Sequence, residues 1–450
     1  MSPADASSPA ARPPLLERLA LHRPELRAWA LYDWANSAMW TVVITAVFPV
    51  FYANVPAAGL SEDKVRRQFS LVTTVCMAFA AVLGPILGAV ADYARMKKKL
   101  FGVFFGLGVA TTGALFFIHR GQWVLAAILF GLANVGIASS FVFYDAMLPH
   151  IARPDEADRL STTGFAAGYL GGGLCLAICL AMIHWERPLG LAGPDGLSAR
   201  AGFVVVAVWW LVFTLPYFFR VPEPPLAIEA DERAGGNPIR AAFARIGETL
   251  GELRKYRHAF VLLVAFLLYS DGIGTINRMA ALYATALKVP SDVTVLCILL
   301  VQFVGVPFAV LFGKLADRIG AKRGILIALG GYVGVCVWAS AITRTWEFVA
   351  ICLLVGMVQG GAQALSRSLF STLIPKHKSG EFFGLFSTLD KFAGILGPLV
   401  FGLAPSVHAA VLWVVAFFVA GAAILALVDV EKGRRAAVEA EAELLGGAAT

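Results

Sequence analysis

Twelve runs of about 20 apolar residues follow one another along the chain, and this recurrence restricts the fold more than any other feature. They cover residues 29–54, 69–91, 99–118, 122–148, 161–184 and 200–220, and then 258–287, 291–313, 324–342, 346–372, 382–403 and 406–429. A helix of that length crosses a hydrocarbon layer of ~30 Å, and it satisfies its own backbone hydrogen bonds where water is absent. The pattern therefore predicts an all-α membrane protein with twelve transmembrane helices.

Composition and cysteine placement agree with a membrane protein. Of the 450 residues, 58% are hydrophobic and 15% are charged, whereas soluble domains carry about 25% charged residues. The cysteines all lie inside apolar runs without metal-ligand spacing, so we interpret them as small buried hydrophobic residues (Cys76, Cys175, Cys179, Cys297, Cys336 and Cys352). Residues 1–28 contain no apolar h-region, and we expect no cleaved signal peptide.

Lysine and arginine collect on alternate connections between the runs. One set of connections, which includes both termini and a central linker, carries 26 of the 37 basic residues when those at the run ends are included, and the other set carries 8. Such an excess marks the cytoplasmic side, so we expect both termini and the linker to be cytoplasmic. The net charge of +7 is explained by this topology, and no nucleic-acid partner is needed. The predicted organisation is an N-terminal segment (1–28), a first six-helix bundle (29–220), a linker (221–257), a second bundle (258–429) and a tail (430–450).

Two short basic loops indicate that the halves arose by duplication. They read "GAVADYARMKKK" (88–99) and "GKLADRIGAKR" (313–323), and Asp92 lies 225 residues before Asp317. A second pair of segments, "AMLPHIARPDE" and "TLIPKHKSGE", aligns Pro149 with Pro375 at an offset of 226. Two matches at nearly one spacing are typical of secondary transporters built from repeats. The expected fold is two six-helix bundles related by pseudo-two-fold symmetry.

The second loop resembles the loop signature of the major facilitator superfamily at almost every position. The segments "YDWANSA", "STTGFAAGYLGGG" and "GGAQALSRSLFSTLIPKHKSGEFFGLFS" resemble the branch related to the autophagy-linked vacuolar amino-acid effluxer. The resemblance covers residues 28–430 and implies a secondary transporter that exports amino acids or similar metabolites by alternating access. It also implies gating roles for a set of loop residues (Gly88, Asp92, Gly313, Asp317, Arg318, Gly320, Lys322 and Arg323). The first loop departs from the signature because Tyr93 replaces the usual arginine.

The physical chemistry of these loops allows two interpretations. An aspartate at such a helix end accepts hydrogen bonds from the backbone of a nearby helix start, or pairs with an arginine. The basic run stays in water or meets anionic headgroups. The loops therefore either clamp the cytoplasmic side shut or simply anchor the topology, and the gating interpretation is stronger for Asp317 than for Asp92.

Asp33 lies near the start of the first apolar run and shares a helix face with Asn36, Ser37 and Trp40, at i, i+3, i+4 and i+7. One interpretation is an aspartate at the water interface, near the cytoplasmic end of the helix. The alternative is that this polar face lines a central cavity and contacts substrate or the other half.

Asp271 lies deep in the seventh run. Thirteen residues from His258 correspond to about 20 Å, which is beyond the middle of the hydrocarbon layer. Gly272 and Gly274 follow, so we expect the helix to loosen there, and Thr275 and Arg278 share the face of Asp271. A carboxylate at this depth is either half of a structural pair with an arginine or a site for a proton or substrate.

Further polar residues inside the runs are weaker candidates for the cavity. Lys391, beside Asp390, is a candidate counter-charge for Asp33, for Asp271 or for a substrate carboxylate, or else belongs to a structural ion pair. The other inward-facing candidates are Asn134, Asp145 and Tyr169 in the first half and Asn277, Gln302, Gln359, Gln363 and Arg367 in the second.

The sequence contains no Walker loop, no metal-ligand cluster and no G-x-S-x-G motif. We therefore expect that the protein does not hydrolyse ATP, binds no cofactor or metal, and is not an enzyme. The predicted function is secondary transport of a small polar solute, with a proton as candidate coupling ion and membrane lipids as surroundings. An exporter of drugs or sugars and a transporter-like sensor are the alternatives. We expect a monomer that spans the cell membrane many times, which is the inner membrane if the cell is bacterial.

Overall fold

In the computed structural model, residues 14–193, 195–224, 255–392 and 407–447 are described, and all regular elements among them are helices. Eleven of these helices are long and apolar enough to cross a membrane. The predicted run 382–403 is helical as far as Phe392. Residues 393–406 lie outside the described residues, as does most of the predicted linker. The all-α transmembrane fold predicted from the sequence is therefore confirmed.

The described residues of the first half form nine α-helices. They are α1 (Leu15–Arg18), α2 (Pro24–Ala38), α3 (Phe48–Asn54), α4 (Glu62–Ala94), α5 (Lys97–Ala114), α6 (Trp123–Ala146), α7 (Leu148–Ile151), α8 (Ala157–His184) and α9 (Leu197–Arg220). A π-helix, Met39–Val47, joins α2 to α3, and a 3₁₀ turn, Leu115–Phe117, follows α5.

The second half repeats the arrangement. Its helices are α10 (Arg257–Ala286), α11 (Ser291–Ile319), α12 (Ala321–Ala339), α13 (Thr345–Thr372), α14 (Ser379–Phe392), α15 (Val407–Ala426) and α16 (Val430–Gly447), with a 3₁₀ turn, Lys376–Lys378, before α14. We call the end of the molecule that carries the loops at 94–99 and 319–323 the basic end.

Each half has its own apolar core. Large aromatic residues fill both, with Trp29, Phe48, Phe130 and Trp210 in the first core and Tyr269, Tyr332, Phe370 and Phe418 in the second. Many large apolar side chains, such as Leu71 and Phe219, are instead exposed on the outer surface. A soluble protein does not expose so much apolar surface, and these residues suit contact with lipid.

Glycines let the two halves approach closely. α4 packs along α14, and α8 packs along α11. Gly84 and Gly88 meet Gly380 and Gly384, and a Cβ atom on any of the four would crowd or overlap the backbone of the facing helix. Small residues four apart are the usual means of close helix contact in membranes.

The first span is not one regular helix. After Ala38 the hydrogen bonds widen to the π pattern, and the Phe48 N–H donates to the carbonyl of Val43. Pro49 has no N–H to continue the α-helical ladder, and the Thr45 hydroxyl donates to the carbonyl of Trp40 at 2.9 Å. The sequence predicted a single run over 29–54, and Pro49 was the available signal for the change.

The seventh span, by contrast, stays helical where we expected it to loosen. α10 continues from Arg257 to Ala286 through Gly272 and Gly274. A Cβ at Gly272 would lie 2.9 Å from the Phe418 ring, so this glycine provides room for close packing rather than a break. The expectation of a loosened helix was wrong.

Candidate functional site

A buried arginine joins the two halves near the basic end. Arg367, on α13, is 3% exposed. Its Nη2 lies 2.9 Å from Oδ2 of Asp33 on α2, and its Nη1 lies 3.3 Å from Oδ1 of Asp145 on α6. One guanidinium of the second half is thus shared by two carboxylates of the first half.

Residues of α8 and α2 complete the surroundings of this guanidinium. Arg367 Nε donates to the Ser161 hydroxyl at 2.9 Å, and Nη2 donates to the Ser161 carbonyl at 3.1 Å. The rings of Trp29 and Phe165 lie 4.6 and 4.5 Å from the guanidinium carbon, within cation–π range. A side chain at Gly164 would overlap the Asp33 carboxylate, so a glycine there lets α8 approach the pair.

The energetics of such a cluster make closure of the halves dependent on charge. Removing one partner of a buried ion pair strands the other charge and costs about 3–5 kcal/mol, whereas the intact pair contributes little net stability because both charges lose water. Asp33, Asp145 and Arg367 are therefore strongly dependent on one another. We call these three residues the charge cluster.

A second set of contacts closes the same end around Asp92. Its Oδ1 lies 2.6 Å from Lys97 Nζ, and its Oδ2 accepts the backbone N–H of Glu381 at 2.9 Å. That N–H belongs to the first turn of α14, where the partial positive charge of the helix favours a carboxylate. Lys97 Nζ and His150 Nε2 both contact the Ser379 hydroxyl, at 3.1 and 3.0 Å.

Asp317, the counterpart in the second half, is held less tightly. Its side chain is 41% exposed, and its Oδ1 lies 3.6 Å from Nε of Arg159 on α8. Gly313, one turn earlier, packs against Thr162. The sequence favoured the second loop as the gate, but the structure places the shorter and more deeply buried contacts at the first.

The remaining residues of the second loop act within their own half or face outward. Lys322 Nζ donates to the carbonyls of Ala426 and Val428, at 2.8 and 2.7 Å. Arg318 and Arg323 are exposed. Gly320 makes the turn between α11 and α12 with φ of 85°, a conformation that favours glycine.

A salt cluster around the buried Glu156 also fixes the loop between α7 and α8. Glu156 accepts from Arg23 at 2.7 Å and lies 3.0 Å from Arg153. Burial raises the pKa of Glu156, but the hydrogen bonds from Arg153 and the charge of Arg23 outweigh burial and hold this pKa below its ordinary value. The start of α2 is thereby attached to the same end of the bundle as the charge cluster.

Polar groups continue from the charge cluster toward the middle of the molecule. Among the described buried polar atoms without a hydrogen-bond partner are Nδ2 of Asn36, the hydroxyl of Tyr169 and Oε1 of Gln359, which lie in this region. The Tyr169 ring packs on the backbones of Gly305 and Gly360, so it lies between α8, α11 and α13. Because these atoms lie between helices of the two halves, a ligand or water there would supply the missing hydrogen bonds.

Other predicted residues occupy different places. Trp40 and Asn134 line a narrow cleft with Cys76, Met77 and Ala80, and Asn134 donates to the Phe130 carbonyl of its own helix at 2.8 Å. Gln302 donates to the Thr41 hydroxyl at 3.3 Å across the halves. Within the described ranges, no three His, Cys, Asp or Glu side chains lie close enough to hold a metal ion.

The candidates around Asp271 are only partly described. Asp271 is 1% exposed in α10, its carbonyl accepts the Thr275 hydroxyl, and Asn277 is exposed. Gln363 is half-buried on α13. The side chains of Arg278 and Lys391 lie outside the described part of the chain.

Sequence reasoning ranked the charge cluster too low. Asp33 was recognised, and Lys391 was one candidate counter-charge for it among several roles, whereas the described residues place Arg367 against Asp33. An arginine inside the apolar run "LSRSLF" was the available signal, because a charge at such a position is expensive unless it is paired. Ser161 and the rings of Trp29 and Phe165 carried no signal, since serines and aromatic residues are common in membrane helices.

Two bundles of membrane-spanning helices that meet along glycine-lined helices, with buried charges between them, are typical of a transporter of the major facilitator type. Solved structures share this fold at low identity. The proton:xylose symporter XylE aligns with a TM-score of 0.69 and 15% identity over 93% of this chain and 98% of that one. The human organic anion transporter MFSD10 aligns with a TM-score of 0.64 and 14% identity over 92% of this chain and 100% of that one.

Sequence comparison identifies the family. The family described as "Vacuole effluxer Atg22 like" matches residues 64–438, and the chain belongs to it. The uncharacterized MFS-type transporter YxiO of Bacillus subtilis is 35% identical over 416 residues, 90% of this chain and 94% of that protein. Autophagy-related protein 22 of Yarrowia lipolytica is 26% identical over 446 residues, 78% of this chain and 73% of that protein.

Proposed function

We propose that this transporter moves an amino acid or a related small polar metabolite out of the cytoplasm by alternating access. The observation that carries the proposal is the charge cluster, in which Arg367 of one half binds Asp33 and Asp145 of the other. Contacts of this kind are broken and remade without altering the core of either half. They therefore suit a gate between two rigid bundles.

The direction of closure follows from the charge distribution. The basic end carries the excess of lysine and arginine, and this excess favours the cytoplasmic side. With the charge cluster and the Asp92 contacts at that end, the structure corresponds to a state closed toward the cytoplasm. The termini and the linker then lie in the cytoplasm, and in a bacterial cell the protein lies in the inner membrane.

The polar groups between the halves support the substrate class, and the family supports the direction of transport. Between the halves the polar groups include the amides of Asn36 and Gln359 and the hydroxyl of Tyr169, and charged groups lie toward the basic end. Such a site suits a small solute with both charged and neutral polar groups. The family description names an effluxer, which favours export.

A proton is the candidate coupling ion, and Asp271 is the candidate carrier. Its carboxyl group is buried in α10, where a change of surroundings between two states of the protein would change its affinity for a proton. Coupling of this type needs no cofactor.

The test is counterflow in proteoliposomes. Vesicles with purified protein are loaded with each of the twenty amino acids, with sugars or with amphiphilic cations, and entry of the same labelled solute is measured. We expect exchange of one or more amino acids, and loss of exchange in Arg367→Gln but not in Arg220→Gln, which changes an exposed arginine at the same end. Exchange of sugars or cations without amino acids would replace the proposed substrate class, and exchange of none would contradict transport of these solutes.

A further inference from the structure

Two carboxylates and two aromatic rings of the first half surround the guanidinium of Arg367. We call these four groups the pocket. The pocket consists of the Asp33 and Asp145 carboxylates and the Trp29 and Phe165 rings, all from α2, α6 and α8. Two carboxylates with aromatic faces at cation–π distance are a general arrangement for binding an organic cation. Arg367 is the one member of this assembly that belongs to the second half.

Separation of the halves would leave unpaired charges on both of them. When Arg367 withdraws with α13, the pocket loses its cation and the guanidinium loses its carboxylates. Uncompensated charges in a poorly hydrated site are costly, so each side then favours a ligand group of opposite charge. A primary ammonium suits the pocket, and a carboxylate suits the two parallel N–H groups of the guanidinium.

One small molecule can satisfy both sides at once. In an α-amino acid the ammonium nitrogen and the carboxylate oxygens are about 3 Å apart, as the standard bond lengths require. With a hydrogen bond of about 2.8 Å at each end, the molecule bridges a gap of about 9 Å. The Asp33 and Arg367 atoms now lie 2.9 Å apart, so an opening of about 6 Å admits it.

We propose that this is the amino-acid binding site: the ligand ammonium occupies the pocket vacated by Arg367, and Arg367 binds the ligand carboxylate. The inference rests on the proposed function and adds to it the residues that recognise the substrate. The ligand side chain extends toward the unpartnered polar atoms of Asn36 on α2, Tyr169 on α8 and Gln359 on α13. In the empty transporter Arg367 serves as a tethered substitute for the substrate cation.

The first arm of the test uses the unmodified protein in nanodiscs. Binding of the twenty amino acids is measured, and for each one that binds, the α-amide and the N-acetyl derivative are compared with it. The amide lacks the carboxylate and the N-acetyl derivative lacks the ammonium, so each should bind about 100-fold more weakly, as expected for loss of a charge-assisted pair of hydrogen bonds. Equal binding of either derivative would overturn the proposal without any mutant.

The second arm tests which residue binds which charged group of the ligand. In Arg367→Gln the preference for the acid over the amide should fall to about threefold or less, while the preference over the N-acetyl derivative remains. In Asp33→Asn the pattern should reverse. Arg367→Lys, which keeps the charge, should retain most of the preference for the acid, and the matched control Arg220→Gln should leave both preferences unchanged.

The outcomes separate this inference from the proposed function. If amino acids bind and exchange but Arg367→Gln and Asp33→Asn keep both preferences, the charge cluster is only a gate and the inference fails while the function stands. If no amino acid binds or exchanges, both fail. A variant that weakens acid, amide and N-acetyl derivative by the same factor also contradicts recognition by these residues.

Discussion

At the scale of single residues, buried charges connect the two halves at the basic end. Asp92 and Lys97 are both buried, and the second oxygen of Asp92 accepts the N–H of Glu381 from the other half. Asp317 is more exposed, and its closest arginine nitrogen is 3.6 Å away. The two related aspartates therefore differ in how much each contributes to the closed state.

Asp92→Asn should destabilise the protein more than Asp317→Asn. The first change strands the buried Lys97 charge and should cost about 3 kcal/mol. The second removes a half-exposed contact worth about 1 kcal/mol or less. Thermal unfolding of both variants in one detergent checks this, and an equal or larger loss for Asp317→Asn would contradict it.

Asp271→Asn tests the candidate proton carrier. If Asp271 carries the coupling proton, the variant should fold and exchange substrate but lose accumulation driven by a pH gradient, because it no longer binds and releases a proton. Proteoliposomes with and without a gradient distinguish the two activities. If Asp271→Asn misfolds, and Asp271→Asn/Arg278→Gln restores both folding and gradient-driven transport, Asp271 is structural.

At the scale of helices, the interface between the two halves depends on paired glycines. Gly88 of α4 faces Gly380 of α14 so closely that a methyl group on either would overlap the other backbone. Because α4 and α14 belong to different halves, we expect this contact to form only when the basic end is closed. Glycine at these positions thus permits closure, as small residues do in other membrane helix pairs.

Gly88→Ala should keep the basic end from closing. The added methyl group separates α4 from α14, so a cysteine introduced at Ser161 should react faster with a thiol reagent supplied from that side. Gly106→Ala is the matched control, because a Cβ there has nothing within 4 Å. Unchanged reactivity in Gly88→Ala would show that the interface yields to a methyl group and is not specific.

The helices themselves were largely predictable, and the irregular first span was not. Apolar length fixes where a helix crosses the membrane, so the predicted runs agree with the described spans to within a few residues at most ends. The change from α2 to the π-helix depends on how backbone bonds rearrange ahead of Pro49, and apolar length carries no information on that. Gly272 was misread for a related reason, since a glycine that loosens a helix and one that admits the Phe418 ring look alike in sequence.

At the scale of the whole molecule, the fold followed from repetition and the site did not. Twelve apolar runs, two related loops and a basic asymmetry predict two bundles without any structural information. The pairing of Arg367 with Asp33 and Asp145 depends on how the bundles rotate against each other, and a sequence does not specify that rotation. Each of the three residues was visible as a charge in an apolar run, but their meeting was not.

The orientation in the membrane gives a prediction for intact cells. In a variant without native cysteines, a cysteine at Ser61 should react with an impermeant thiol reagent, and one at Gly235 should not. The basic asymmetry places Ser61 outside and the linker inside. Labelling of Gly235 but not Ser61 would reverse the topology, and with it the assignment of the basic end to the cytoplasm.

The most direct test of the account is whether the two ends of the molecule open in alternation. Spin labels at Lys99 and Lys376 report the distance between the halves at the basic end, and labels at Arg120 and Arg344, also exposed, report it at the opposite end. In nanodiscs, addition of a transported amino acid should populate a state in which the first distance is longer by about 6 Å, the gap that the ligand needs, and the second is shorter. If both distances stay fixed, or if both lengthen together, the two halves do not alternate around the charge cluster and the account is wrong.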